Sequence, residues 1–179
     1  HLERSDLHWP DYLQGVLSVF LQAGYKISGL DLAFGGNVPI GGGMSSSAAI
    51  EGGLAFALNY LYDLHLDLLT LARLARQAEN DFVGVKCGIM DMFANLFGQT
   101  KRVIKLDCRS LEFEYYPFEW EKVRIVVSDS LVRRALATSE YNLRRQQCEA
   151  GVNLLQKHYP GIKSLRDVTF TRLVAYQTE

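Results

Sequence analysis

The 179-residue sequence predicts a layered α+β domain. Three features point there. Apolar residues recur at helical spacing between Pro10 and Gly24. A loosely alternating segment then runs into a glycine-rich loop and a long apolar helix. Three β-branched and aromatic stretches between residues 103 and 128 precede an amphipathic helix.

Taken in order, Pro10 sits at a helix start, and Tyr12, Val16, Val19 and Phe20 share a face until Gly24 ends the element. Lys26 to Phe34 alternates (Ile27, Leu30, Leu32, Phe34) and is expected to be a strand leading into Gly35-Gly36-Asn37. A helix follows from about Ser46 to Tyr62; it is apolar or small nearly all round and is expected to be central and buried. Further helices are expected over about 67–80 and 88–97, and strands over 103–107, 112–118 and 123–128. Ser139 to His158 is an amphipathic helix closed by Pro160-Gly161, and Leu165 to Tyr176 holds one more short helix.

Composition narrows the function. The net charge is −1 and 22% of residues are charged, as in an ordinary globular protein without a basic excess for nucleic acid or anionic lipid. The longest apolar run, Leu54 to Leu58, is far too short to span a bilayer. Cys87, Cys108 and Cys148 are odd in number and widely separated, so they read as reduced thiols of a cytoplasmic protein. The four histidines form no zinc pattern. The chain opens without Met and almost directly on a helix, which predicts a cut or processed N-terminus.

The most informative stretch is Pro39-Ile-Gly-Gly-Gly-Met-Ser-Ser-Ser-Ala-Ala-Ile50. Gly41, Gly42 and Gly43 let the backbone approach a bulky ligand. Ser45, Ser46 and Ser47 then open a helix whose first amides and dipole favour an anion, here a polyphosphate. Serines that merely cap the helix would be the plain alternative. The Walker A spacing and its lysine are absent.

Two acids stand in apolar surroundings. Leu68, Leu71, Ala72 and Ala75 form one helical stripe, and Glu79 falls at its centre. Either the helix frays there and Glu79 swings to solvent, or Glu79 holds a hard cation such as Mg²⁺. Asp91 is the one acid among the apolar residues of 88–97. Such a carboxylate must be paired, shifted in pKa or facing a cleft, and a functional role is favoured over a structural ion pair. Glu51 also stands alone on its helix; its early position lets the helix dipole account for it, and no catalytic role is assigned. A phosphate loop, a cation carboxylate and a candidate base together suit phosphoryl transfer to a small hydroxyl.

The glycine–serine stretch resembles the second motif of the GHMP small-molecule kinases. Four further segments resemble the galactokinase branch of that family: Gln77-Ala-Glu-Asn-Asp-Phe-Val-Gly84, Cys87-Gly-Ile-Met-Asp91, Leu106-Asp-Cys-Arg-Ser-Leu111 and Ser139-Glu-Tyr-Asn-Leu-Arg-Arg-Gln-Gln-Cys-Glu149. The matches run in family order from about Trp9 to Val168. The resemblance implies an α+β two-layer GHMP-kinase-like domain, with a βαβ unit like that of ribosomal protein S5 domain 2. It divides the chain into a nucleotide-binding domain at 1–122 and the start of a second domain at 123–179.

It also implies roles. Gly41, Gly42, Gly43, Met44, Ser45, Ser46 and Ser47 would wrap the phosphates of ATP, with Trp9 near the adenine. Ser47 and Glu79 would hold Mg²⁺. Asp91 would take the proton of the anomeric hydroxyl of galactose, and Gly88, Asp91 and Tyr141 would line the sugar pocket. The partners implied are galactose and ATP, with no nucleic acid and no membrane, in a cytoplasmic enzyme that is a monomer when full-length.

Several features depart from the family pattern. The N-terminal sugar-recognition motif with its arginine and the C-terminal glycine-rich motif are absent, so these residues are expected to be the middle of a kinase about twice as long. Met92 stands where glutamine is usual, and Ser128 to Arg134 replaces an Asn-rich segment. The alternatives are a related kinase for galacturonate, arabinose, N-acetylgalactosamine or a heptose phosphate, or a non-catalytic sugar sensor. Ser47-Ala48-Ala49 is uninterrupted, unlike the corresponding run of some such sensors.

Overall fold

The computed structural model describes residues 2–119, 124–128 and 137–175. Two compact units divide between Ala135 and Leu136. The first holds α1 (Pro10–Gln22), α2 (Ser46–Leu61), α3 (Leu68–Gln77), a π-helical turn (Ala78–Val83), α4 (Met90–Phe97), β1 (Arg102–Leu106) and β2 (Phe113–Pro117).

Pro10 opens α1, whose missing N–H costs nothing in a first turn. Val16, Val19 and Phe20 of α1 join Leu54, Ala55 and Leu58 of α2 and Leu71 of α3 in one core cluster. A Cβ on Gly15 would stand 3.1 Å from the Phe82 Cβ and 3.3 Å from the Ala78 carbonyl oxygen, so α1 lies directly against the π turn. Asp67 caps α3 by accepting from the Thr70 amide at 2.9 Å and the Thr70 hydroxyl at 2.8 Å. A second cluster joins Ala48, Ala72, Ala75, Ile89, Met92 and Phe93.

β1 and β2 form an antiparallel pair in which Ile104 faces Tyr115. The pair is tied to α4. Phe93 and Phe97 stack at 4.0 Å, Phe113 meets both rings edge-on, and the Tyr115 hydroxyl donates to the Phe97 carbonyl at 2.7 Å.

Three expectations need correction. Residues 26–34 form no strand, because no described strand runs alongside them; Ile27 and Leu30 pack on the core as irregular chain instead. The described residues therefore do not complete the expected βαβ unit ahead of the glycine loop. Residues 124–128 likewise form no strand, and Ile125, Val126 and Val127 are exposed; Val123 lies outside the described residues. Finally, α2 is not buried all round. Gly53, Phe56 and Tyr60, spaced three and four apart, face outward, while Glu51, Leu54, Ala55 and Leu58 face in.

The second unit holds α5 (Ala137–Gln156), a 3₁₀ turn (Leu165–Asp167) and α6 (Phe170–Val174). Leu155 and Ile162 are buried, and the Gln156 side chain donates to the Ile162 carbonyl at 2.7 Å. Ser164 and Asp167 close a capping box. No helix among the described residues is long and apolar enough to cross a membrane.

Candidate active site

The glycine loop is open. Gly41 and Gly43 lie at φ +75°, and Ser45, the N-cap of α2, lies at φ 57°, while Gly42 and Met44 between them are not left-handed. Residues alternating in this way turn successive N–H groups toward one side, which makes a concavity for anions. Gly41, Gly43 and Met44 are exposed, and Ser45, Ser46 and Ser47 are half-buried. Ser45 forms no side-chain cap hydrogen bond, so capping does not explain the serine run.

Glu79 neither frays nor swings to solvent. Its residue opens the π turn's first residues, where the ladder shifts register, and it is buried with only 6% exposure. The Gly84 and Val85 amides both donate to its carbonyl, at 2.9 and 3.0 Å, which closes the turn beneath the side chain. The Cys87 thiol donates to its Oε2 at 3.2 Å. Burial is the main cause of a carboxyl pKa above the ordinary range. Hydrogen bonds from Cys87 and Ser47 pull it part of the way back, and the charge of Asp91 adds to the rise. Ser47 and Cys87 thus bond one carboxylate, and Asp91 is near enough to act on it through its charge.

Glu51 sits in the same place. It is fully buried, and neither carboxyl oxygen has a partner of ordinary hydrogen-bond geometry. Burial first, and Glu79 second, push its pKa up to about 10, so it is a neutral acid at pH 7. The helix dipole therefore does not account for Glu51, because the group is uncharged. The Tyr12 hydroxyl is also shifted up, by burial and then by Glu79, Glu51, Asp11 and Cys87.

Asp91 is exposed, contrary to the expectation of a buried acid. It lies in the first turn of α4, whose inward side is taken by Met92 and Phe93, so the apolar count of the segment does not enclose it. Of the three situations open to such a carboxylate, it faces open space. Gly88 is exposed in the loop ahead of α4, and a Cβ there would meet nothing within 4 Å. Trp9 is half-exposed at the start of α1, its ring 5.8 Å from that of Phe34. Tyr141 is exposed on α5 of the second unit.

Among the described residues no group of three or more His, Cys, Asp and Glu side chains forms a metal cage. Ser47 and Glu79 fit Mg²⁺ in another way. This cation keeps waters and phosphate oxygens in its shell and takes only one or two protein oxygens. The strongest influences on Glu79 are burial, a thiol, a hydroxyl and two further acids, and none is a cation. Away from these residues, a concavity of about 530 Å³ is lined by Arg73, Arg76, Gln77, Asn80, Ile89 and Arg109 among others. It includes neither the glycine loop nor Asp91.

Sequence reasoning missed the parts played by Glu51 and Cys87. For Glu51 the signal was its being the single acid of a 16-residue helix. For Cys87 no spacing rule helps, because a π turn and an irregular loop separate it from Glu79.

A family model described as GHMP kinases N terminal domain matches residues 11–99. The galactokinase of Roseiflexus sp. (strain RS-1) is 44% identical over 178 residues, covering 99% of this chain and 45% of that protein. The galactokinase of Pyrococcus furiosus is 48% identical over 149 residues, covering 83% of this chain and 42% of that one. The crystal structure of Lactococcus lactis galactokinase complexed with galactose superposes with a TM-score of 0.79 at 30% identity, over 98% of this chain and 46% of that one. The chain thus spans a little under half the length of these relatives. With an α+β fold, an open glycine–serine loop and sequence similarity along nearly its whole length, the chain belongs to the GHMP kinase family, and its relatives there are galactokinases.

Proposed function

We propose that the complete protein is a galactokinase, which transfers the γ-phosphoryl group of ATP to the C1 hydroxyl of galactose in the cytoplasm, as a monomer. Residues 1–122 belong to its nucleotide-binding domain and 123–179 begin the second. The reading rests on one observation: a Ser47 hydrogen bond and the Asp91 charge both act on the buried Glu79 carboxylate, in a chain 44% identical to a galactokinase.

The amides of Gly41 to Ser47 bind the triphosphate, and Trp9 lies against the adenine. Ser47 and Glu79 hold Mg²⁺, which when bound neutralises charge on the phosphate oxygens. Asp91 holds the anomeric hydroxyl and takes its proton as that oxygen bonds to the γ-phosphorus and ADP leaves. Its exposure suits this task, since a base must reach its substrate. Gly88 leaves room for the sugar ring.

Radiolabelled ATP offered with galactose, galacturonate, arabinose, N-acetylgalactosamine and a heptose phosphate tests the proposal. Transfer to galactose with the highest kcat/KM is expected. Preference for another sugar overturns the substrate, and binding of ATP and galactose without transfer overturns the enzyme.

A further inference from the structure

The loop of residues 84–89 joins the two halves of the candidate site. It leaves the π turn that carries Glu79 and enters α4, which carries Asp91 in its first turn. Nothing in the loop belongs to a helix or strand before Met90. Its hold on the π turn includes the Gly84 and Val85 amides on the Glu79 carbonyl, the Lys86 ammonium on the Asn80 carbonyl at 3.1 Å, and a bond to the Glu79 side chain from the Cys87 Sγ to Oε2 at 3.2 Å. For a sulfur donor that separation is short, and the acceptor is a carboxylate with 6% exposure.

We propose that Cys87 is a positioning residue for the cation site, its thiol fixing one oxygen of Glu79 so that the carboxylate meets Mg²⁺ in a single orientation. The inference rests on the reading of Ser47 and Glu79 as the Mg²⁺ ligands. A carboxylate with two free oxygens can rotate about its last bond, and each orientation presents a different oxygen. A donor on Oε2 removes that freedom, in the way outer hydrogen bonds orient metal ligands generally. The same bond anchors the loop directly before Gly88, so the sugar side of the site is set from the same point.

The test is Mn²⁺ binding to the full-length protein, read by electron paramagnetic resonance with a non-hydrolysable ATP analogue present. The variants are Cys87→Ala, Cys87→Ser, Ser47→Ala and Glu79→Gln, each with a thermal melt. Cys87→Ala is expected to weaken Mn²⁺ binding about tenfold, within the range for outer-shell partners. Cys87→Ser, which keeps a donor, is expected to restore most of it, and metal-free affinity for the analogue should be the same in the two Cys87 variants as in the parent protein. Equal weakening by Ala and Ser, no weakening by Ala, or an Ala variant without a cooperative melt overturns the proposal. If Glu79→Gln abolishes Mn²⁺ binding while Cys87→Ala leaves it intact, only the role of Cys87 falls. If Glu79→Gln and Ser47→Ala both leave it intact, the metal site itself falls, and the role of Cys87 with it.

Discussion

Glu51 of α2 and Glu79 of the π turn share one buried space, in which Glu51 is held neutral at pH 7 by burial and by Glu79. Two ionised carboxylates enclosed together would repel strongly, and that repulsion adds to burial in keeping Glu51 protonated. The pair divides its labour by depth: Glu51 is fully enclosed, whereas Glu79 retains contact with Ser47 and Cys87 and a small opening.

A pH dependence of stability follows. The Glu51 pKa rises from 4.5 to about 10 on folding. A group raised in this way contributes fully below its unfolded pKa and loses that contribution as pH climbs toward the folded one. Glu51→Gln mimics the neutral acid and removes the loss. The variant should therefore gain stability relative to the parent protein between about pH 5 and pH 9, seen as a widening difference in Tm. A constant difference across that interval would show that Glu51 is not held neutral by the fold.

Asp91→Ala in the complete protein should lower kcat by about a hundredfold to ten-thousandfold, the range for a lost general base. ATP affinity should hardly change, because Asp91 is exposed at the head of α4 and not in the glycine loop. Equilibrium binding and steady-state kinetics measured together check both halves. Near-normal turnover would remove Asp91 from the chemistry.

Ser47→Ala should raise the Mg²⁺ concentration for half-maximal activity by about tenfold or more, an effect at least as large as that of outer-shell partners. The Ser47 hydroxyl also bonds Glu79, so its loss disturbs both proposed ligands. A Mg²⁺ titration at fixed ATP reads the shift directly.

Gly43→Ala forces an L-residue to hold φ +75°, at a cost of about 1–2 kcal/mol. No neighbour lies within 4 Å of the added methyl, so steric conflict inside the fold contributes nothing further. Nucleotide affinity should fall beyond what that strain explains, because the methyl would stand in the proposed phosphate loop. Gly53→Ala is the control. Gly53 is exposed within α2 with nothing within 4 Å, so Ala there should stabilise by about 0.5–1 kcal/mol and leave ATP binding unchanged.

Elements whose signals are local were legible in the order of residues alone. The helical period of Val16, Val19 and Phe20, the start of a helix near Asp67, the stripe that Glu79 completes, and the β-branched and aromatic pair of strands each depend on neighbours within a few residues. The glycine–serine loop was legible for the same reason, since left-handed backbone before a helix requires particular residues in sequence. Features that depend on distant partners emerge only once the chain has packed. Residues 26–34 alternate correctly yet form no strand, because a strand exists only in its ladder. Asp91 sits among apolar neighbours yet faces out, and Glu51 looks suited to a helix dipole yet is buried and neutral. Burial and pKa are set by what packs on a residue from elsewhere in the chain, and no local pattern records that contact.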